Sequence, residues 1–189
     1  MRKTDLMLNS QLEILAQGHA YLEGVTKEDY SQVITPNFIS SAGAHMRHII
    51  DHYQSLMTGF STQKVDYDCR LRGGDIENSP TAAIKKIAEI TTWIEQLSPD
   101  DFNKPLSLSS EVSIKSKNVQ TVTTSLAREL IFVGSHAVHH YAMISQISFA
   151  QKSQLDQSFG LAPSTATFLR ENSQPASTTK IDAKLKCAR

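Results

Sequence analysis

Residues 129–147 read ELIFVGSHAVHHYAMISQI, a long apolar run with three histidines set into its middle. It reads as a long apolar helix. On a helix, residues four apart lie one turn above each other, roughly 40° apart around the axis. His136 and His140 therefore present their imidazoles from one face. Two imidazoles so placed can share a metal ion, each offering one nitrogen at about 2.0–2.1 Å from a zinc ion. They do not complete a site, so a third protein ligand has to come from elsewhere. The stretch AHMRHIIDHY, residues 44–53, carries His45, His48 and His52. Six of the chain's seven histidines fall in these two windows.

An i,i+4 histidine pair alone is a weak signal. Seven histidines scattered at random would give only a few tenths of one such pair, on a rough count. Here there are two, His48/His52 and His136/His140, on segments that both read as helices. Facing helices of bundles are a recurrent place to build metal sites. Three imidazoles without a cysteine leave an open coordination position, which is where water or a substrate atom enters in metal catalysis. Asp51, Asp68, Glu77 and Glu129 are the carboxylates available to orient second ring nitrogens. Glu129 lies two turns before His136, near the same face, and an ion pair to Arg47 or Arg128 is its alternative use.

The bulk composition narrows the classes. Nineteen basic and nineteen acidic residues cancel, which argues against a nucleic-acid or polyanion partner. No apolar stretch reaches bilayer-spanning length, so no membrane partner is expected. The first residues, MRKTDLMLNSQLEILAQ, interleave polar with apolar positions and read as an amphipathic helix rather than a targeting segment. Cys69 and Cys187 are too far apart and too few for a disulfide framework. The expectation is a cytoplasmic, soluble chain with one domain.

The predicted elements follow from periodicity. Leu8, Leu12, Leu15, Leu22 and Val25 give one stripe over residues 4–25. A second helix covers residues 39–60, its core face formed by Ala42, Met46, Ile49, Tyr53, Leu56 and Phe60. Around Ile49 as centre, His45 and His52 lie near the core face, whereas His48 sits about 100° away on its margin. Periodicity alone thus favours His45 or His52 as the inward ligand. Residues 61–78 show no stripe and read as a long connection rich in side chains that reach, among them Tyr67, Asp68, Arg70 and Arg72. Ser79 as cap and Pro80 at the first position open a third helix, closed by Pro99, with Trp93 as a core anchor. Residues 102–125 favour β structure, and Lys117–Asn118 is placed at the turn of a short hairpin. The histidine helix, residues 123–148, is the fourth. A last short helix starts near Ser164, and residues 173–189 read as a disordered tail.

Taken together, MRHIIDHY in the second helix, H-x-x-x-H in the fourth, and the phrases VDYDCRLRGGDIE, ELIFVGSHAVHHY and FGLAPST resemble the DinB/YfiT-like superfamily, over roughly residues 5–170. The resemblance implies an all-α fold over residues 1–172: a four-helix bundle in up-up-down-down order with long crossovers. It also implies a divalent metal ion, zinc or nickel, held by three histidines. The family pattern His-apolar-apolar-Asp falls on His48–Asp51 and H-x-x-x-H on His136 and His140, which makes His48, His136 and His140 the implied ligands, with His52 in reserve and His139 packing or lining the pocket. Characterised relatives include thiol S-transferases and isomerases that use low-molecular-weight thiols, so a small thiol is the implied partner, in a homodimer. A non-catalytic metal-binding stress or scaffold protein is the alternative. Hydrolysis, with Glu129 or Asp68 as base, is a third reading.

Overall fold

A computed structural model describes residues 3–69 and 74–172. The expected tail (173–189, including Cys187) and Arg70 and Arg72 of the expected long connection lie outside the described residues. The chain is mostly helical: α1 (Lys3–Gly24), α2 (Lys27–Ser31), α3 (Ala42–Thr62), α4 (Pro80–Glu95), α5 (Leu126–Ala150) and α6 (Pro163–Asn172), with strands β1 (Lys64–Asp66), β2 (Pro105–Glu111) and β3 (Val119–Ser125).

The helix starts follow side-chain chemistry. Ser41, Ser79 and Ser125 each accept a backbone N–H from the third residue onward, at Ala44, Ala82 and Arg128 respectively. These bonds occupy N–H groups that have no partner within the helix. α3 therefore begins at Ala42 rather than near residue 39. Pro36 lies in the connecting loop.

The core is continuous and built from the predicted stripes. Met46, Ile49, Tyr53 and Leu56 of α3 are buried with Ile87, Ile90 and Ile94 of α4 and Leu130, Val133, Ala137, Tyr141 and Ile144 of α5. Trp93 packs on this cluster and meets the Phe60 ring at 6.3 Å. Each of the four long helices touches two others: α1 and α3 each pack against both α4 and α5.

Their directions correct the expected up-up-down-down order. His45 meets His140 and His48 meets His136, so α3 and α5 are antiparallel. Gly134 lies against Gln11 and Gly18 against Tyr141, so α1 and α5 run the same way. Gly43 abuts Glu77 just ahead of α4, and Phe60 touches Trp93, so α3 and α4 are parallel. The order is up, down, down, up. The physical reason is the connection between α3 and α4, which returns along α3 to its start and so makes α4 repeat the direction of α3. Two glycines let that connection press on the helix. A Cβ at Gly59 would sit 2.7 Å from the Lys64 carbonyl oxygen, and one at Gly43 would collide with the Glu77 carbonyl.

That connection is not without structure, as the sequence had suggested. β1 pairs in parallel with β2, and β2 pairs antiparallel with β3, giving a three-stranded sheet in the order β1-β2-β3. The hairpin is where it was expected, but its loop spans 112–118 rather than turning tightly at Lys117–Asn118, and Val112 N–H still bonds the Asn118 carbonyl at 2.9 Å. Val65 and Tyr67, alternate residues, are both buried and point the end of β1 at the helices.

Candidate metal centre

The histidines converge along the α3–α5 seam. One nitrogen each from His48, His136 and His140 lies within 4.8 Å of the others, and all three residues are half-buried. Nε2 of His48 and Nε2 of His136 are 2.9 Å apart. Two donors that share one ion at about 2.0–2.1 Å stand roughly 2.9–3.4 Å apart, so this spacing fits a shared metal. The donor set fits too, since neutral imidazole suits zinc and nickel.

His140 makes a second contact that fixes its ring. Its Nδ1 is 2.8 Å from Nδ1 of His45, leaving Nε2 as the nitrogen it can offer to the seam. Burial, reinforced by His48, His136, His45 and His139, pushes the His140 pKa down to about 3. Burial and His139 lower that of His45. The cluster therefore holds His140 neutral at physiological pH, the form in which it can ligate.

His52 has a different place from the one the helical wheel favoured. It is the most buried of the cluster, only 6% exposed. Its Nδ1 lies 2.8 Å from the His48 carbonyl oxygen, to which Nδ1–H donates, and its ring stacks on Tyr67 with centroids 5.1 Å apart. The ring also lies 4.3 Å from that of His136. It forms the inner wall behind the three candidate ligands. His139 is exposed and touches only the rim of the cluster, its ring centroid 5.3 Å from that of His140.

Behind this wall sits a carboxylate whose long-range partner the sequence did not show. Glu129 is fully buried. Its Oε2 accepts from the Tyr67 hydroxyl at 2.7 Å, and its Oε1 accepts from Thr124 at 2.6 Å and from Arg128 at 2.7 Å. Of the two arginines considered for it, Arg128 is the partner; Arg47 instead bonds Asp51 at 3.0 Å and Glu77 at 2.9 Å. Burial and the Glu129 carboxylate push the Tyr67 phenol far above its ordinary range, so it stays a donor. Asp68 is turned away from the histidines, since its Oδ2 accepts the Glu111 N–H at 2.5 Å and ties the β1 end to β2. Both oxygens of Glu129 are engaged, so it has none unengaged to serve as a general base beside the histidines.

A half-buried cluster of three imidazoles across two antiparallel helices defines a trihistidine helical protein. The family model of the DinB superfamily matches residues 16–144, and the chain belongs to that superfamily. It is also similar to FK506-binding protein 5 of Rhizopus delemar, with 34% identity over 107 residues, covering 57% of this chain. The match spans 28% of that protein's length. Among the described residues, no helix is long and apolar enough to cross a membrane.

Proposed function

We propose that His48, His136 and His140 hold one divalent ion, zinc or nickel, and that the chain is a metal-dependent enzyme of the thiol S-transferase type. The observation that carries the reading is the convergence of three imidazole nitrogens within 4.8 Å on a half-buried seam. Among the described residues no carboxylate joins them, so the donor set is neutral and incomplete, and the charge of a bound ion would not be cancelled by these ligands. When bound, such an ion supplies the positive charge that lowers the pKa of a thiol beside it.

The chain's own residues do the rest. His45 orients His140 through its Nδ1, as second partners of ligating histidines commonly do. His52 and Tyr67 close the inner side, so a substrate has to approach from the open seam. The Glu129 network clamps β3 and α5 to Tyr67 and keeps that wall rigid. The thiol sulfur forms a bond to an electrophilic carbon, whose leaving group departs with the bonding pair, and the thiol proton passes to solvent.

The test is elemental analysis of untagged protein followed by consumption of a small thiol with an electrophile. Expected are one ion per chain and turnover that His136→Ala removes along with the ion. Full metal occupancy with no turnover across a broad thiol panel would favour the non-catalytic binding protein. The same reading includes a cytoplasmic homodimer, which light scattering would check as twice the 20.9 kDa chain mass.

A further inference from the structure

A concave site lies on the side of α5 away from the histidines. A cavity of about 620 Å³ opens between α1, the end of α5 and the residues that follow it. That volume falls in the range of small-molecule sites, roughly 300–1,000 Å³. It faces α1, whereas the histidines meet on the α3 side. Ser148, on its wall, lies eight residues beyond His140, which is about 12 Å along the helix axis.

The lining has a definite chemistry. Ala16, Ala20, Val25, Leu155 and Phe159 supply an apolar surface, and the Tyr21 ring stacks on Phe159 with centroids 5.3 Å apart. Tyr21 is only 5% exposed, and its hydroxyl is buried beside Ser148. The polar side chain that acts on it is Ser148, on the same wall. Among the described residues, the charged ones of the wall are Glu13, Asp29 and Asp156, with no lysine or arginine. Ser158 donates to Asp156 through its backbone N–H at 2.7 Å and through its hydroxyl, holding the carboxyl below the usual range and hence ionised. The frame is tied in place: the Gln151 amide donates to the Asp29 carbonyl oxygen at 2.7 Å and links α2 to the end of α5.

We infer that this cavity is a binding site for a small organic cation, an ammonium group on an apolar or aromatic body. The apolar wall takes the body, and the carboxylates take the charge. The stacked aromatic pair adds a surface that attracts cations. An anionic ligand of the same shape meets three like charges and is excluded. The site is separate from the histidine cluster and does not depend on the reading proposed for it.

The test is isothermal titration calorimetry of the full chain with three ligands of matched shape: 2-phenylethylammonium, 2-phenylethanol and phenylacetate. Expected is one ammonium bound per chain, the alcohol bound at least about tenfold more weakly, and the carboxylate not bound. Asp29→Asn should weaken the ammonium severalfold and leave the alcohol unchanged. Ala20→Trp should fill the cavity and remove both, while His136→Ala should change neither. Asp29→Asn alters no buried apolar side chain, so it decides the question even where Ala20→Trp does not fold. No ammonium binding at millimolar concentration, equal binding of all three ligands, or loss on His136→Ala with none on Asp29→Asn would each overturn the inference.

Discussion

Nδ1 of His45 and Nδ1 of His140 are 2.8 Å apart, a bond between α3 and α5 that spans 95 positions of sequence. A single proton between two ring nitrogens makes one the donor and the other the acceptor. With His140 as donor, its Nε2 lone pair is left for a metal. His45→Ala is therefore expected to retain stoichiometric metal while weakening its affinity about 10–100-fold, the usual cost of losing the group that orients a ligating histidine. Competition against a chelator measures this. Complete loss of the ion would make His45 a ligand, and unchanged affinity would show that the contact does nothing for the site.

Within α3, the choice between His48 and His52 is decided by replacement. His48→Ala is expected to strip the ion. His52→Ala should keep it and lower the melting temperature instead, because the ring is buried against Tyr67 and bonded to its own helix. Elemental analysis of both variants separates the roles. An ion lost from His52→Ala and kept by His48→Ala would reverse the assignment.

The helical wheel located the burial correctly, but the α3 nitrogen that converges with those of His136 and His140 is that of His48, for a physical reason. A wheel ranks positions by distance from the core, and His52 does point inward. Ligands that leave room for a substrate must sit at a seam between helices, which is a marginal position such as that of His48. The long stripes were readable: Met46, Ile49, Tyr53 and Leu56 are all buried. The five residues of α2 are too few to show a period, although Thr26 capping Asp29 was a local sign. β1 offered only the alternation of Val65 and Tyr67. The pairing of Tyr67 with Glu129 links residues 62 apart and has no local signature. Apolar stripes also carry no direction, which is why the order of the helices had to come from contacts.

Glu129 should matter for stability before it matters for chemistry. Removing it by Glu129→Ala leaves the Tyr67 and Thr124 hydroxyls without their acceptor beside the core. Breaking a buried charged network from one side costs about 3–5 kcal/mol, and Tyr67→Phe, which removes one donor, about 1–3 kcal/mol. Because Arg128 is half exposed, Arg128→Ala should cost less than Glu129→Ala. Urea midpoints of the three variants give the order. A Glu129→Ala protein as stable as the parent would show that the network contributes nothing.

Acid should weaken the metal-free fold in a defined window. His140 is pushed down to about 3 when folded, because of burial and then of its histidine neighbours, against an ordinary imidazole value of 6.5. Between those values the unfolded chain takes up a proton that the folded chain refuses, so protonation favours unfolding. The penalty is absent above about pH 6.5 and grows as pH falls towards 3, and the lowered pKa of His45 acts in the same direction. Asp101, held at about 2 chiefly by Lys104 and by the Ser98 N–H, stabilises the fold above 3.8, and its contribution is lost only below that value. The melting temperature of metal-free protein should therefore fall between pH 6.5 and 4.5, and His140→Gln should flatten that slope. An equal slope in parent and variant would remove His140 as the cause.

The thiol reading makes a spectroscopic prediction. Cobalt takes nitrogen ligands much as zinc does, and a thiolate sulfur bonded to it absorbs by charge transfer. A thiol beside the ion loses its proton because the positive charge favours the thiolate. Three neutral imidazoles leave that charge undiminished, whereas a carboxylate ligand would have reduced it. Adding a small thiol to cobalt-substituted protein is therefore expected to produce a sulfur-to-metal band that saturates at one thiol per chain. Lowering the pH should remove the band, since thiolate and ligating imidazoles both take up protons. His136→Ala should not form it. His45→Ala should form it with less cobalt retained at a given chelator concentration, because that variant keeps the ligands and loses only the group that orients one of them. Cobalt protein with an intact trihistidine site and no response to any thiol would overturn the transferase reading and leave a metal-binding protein.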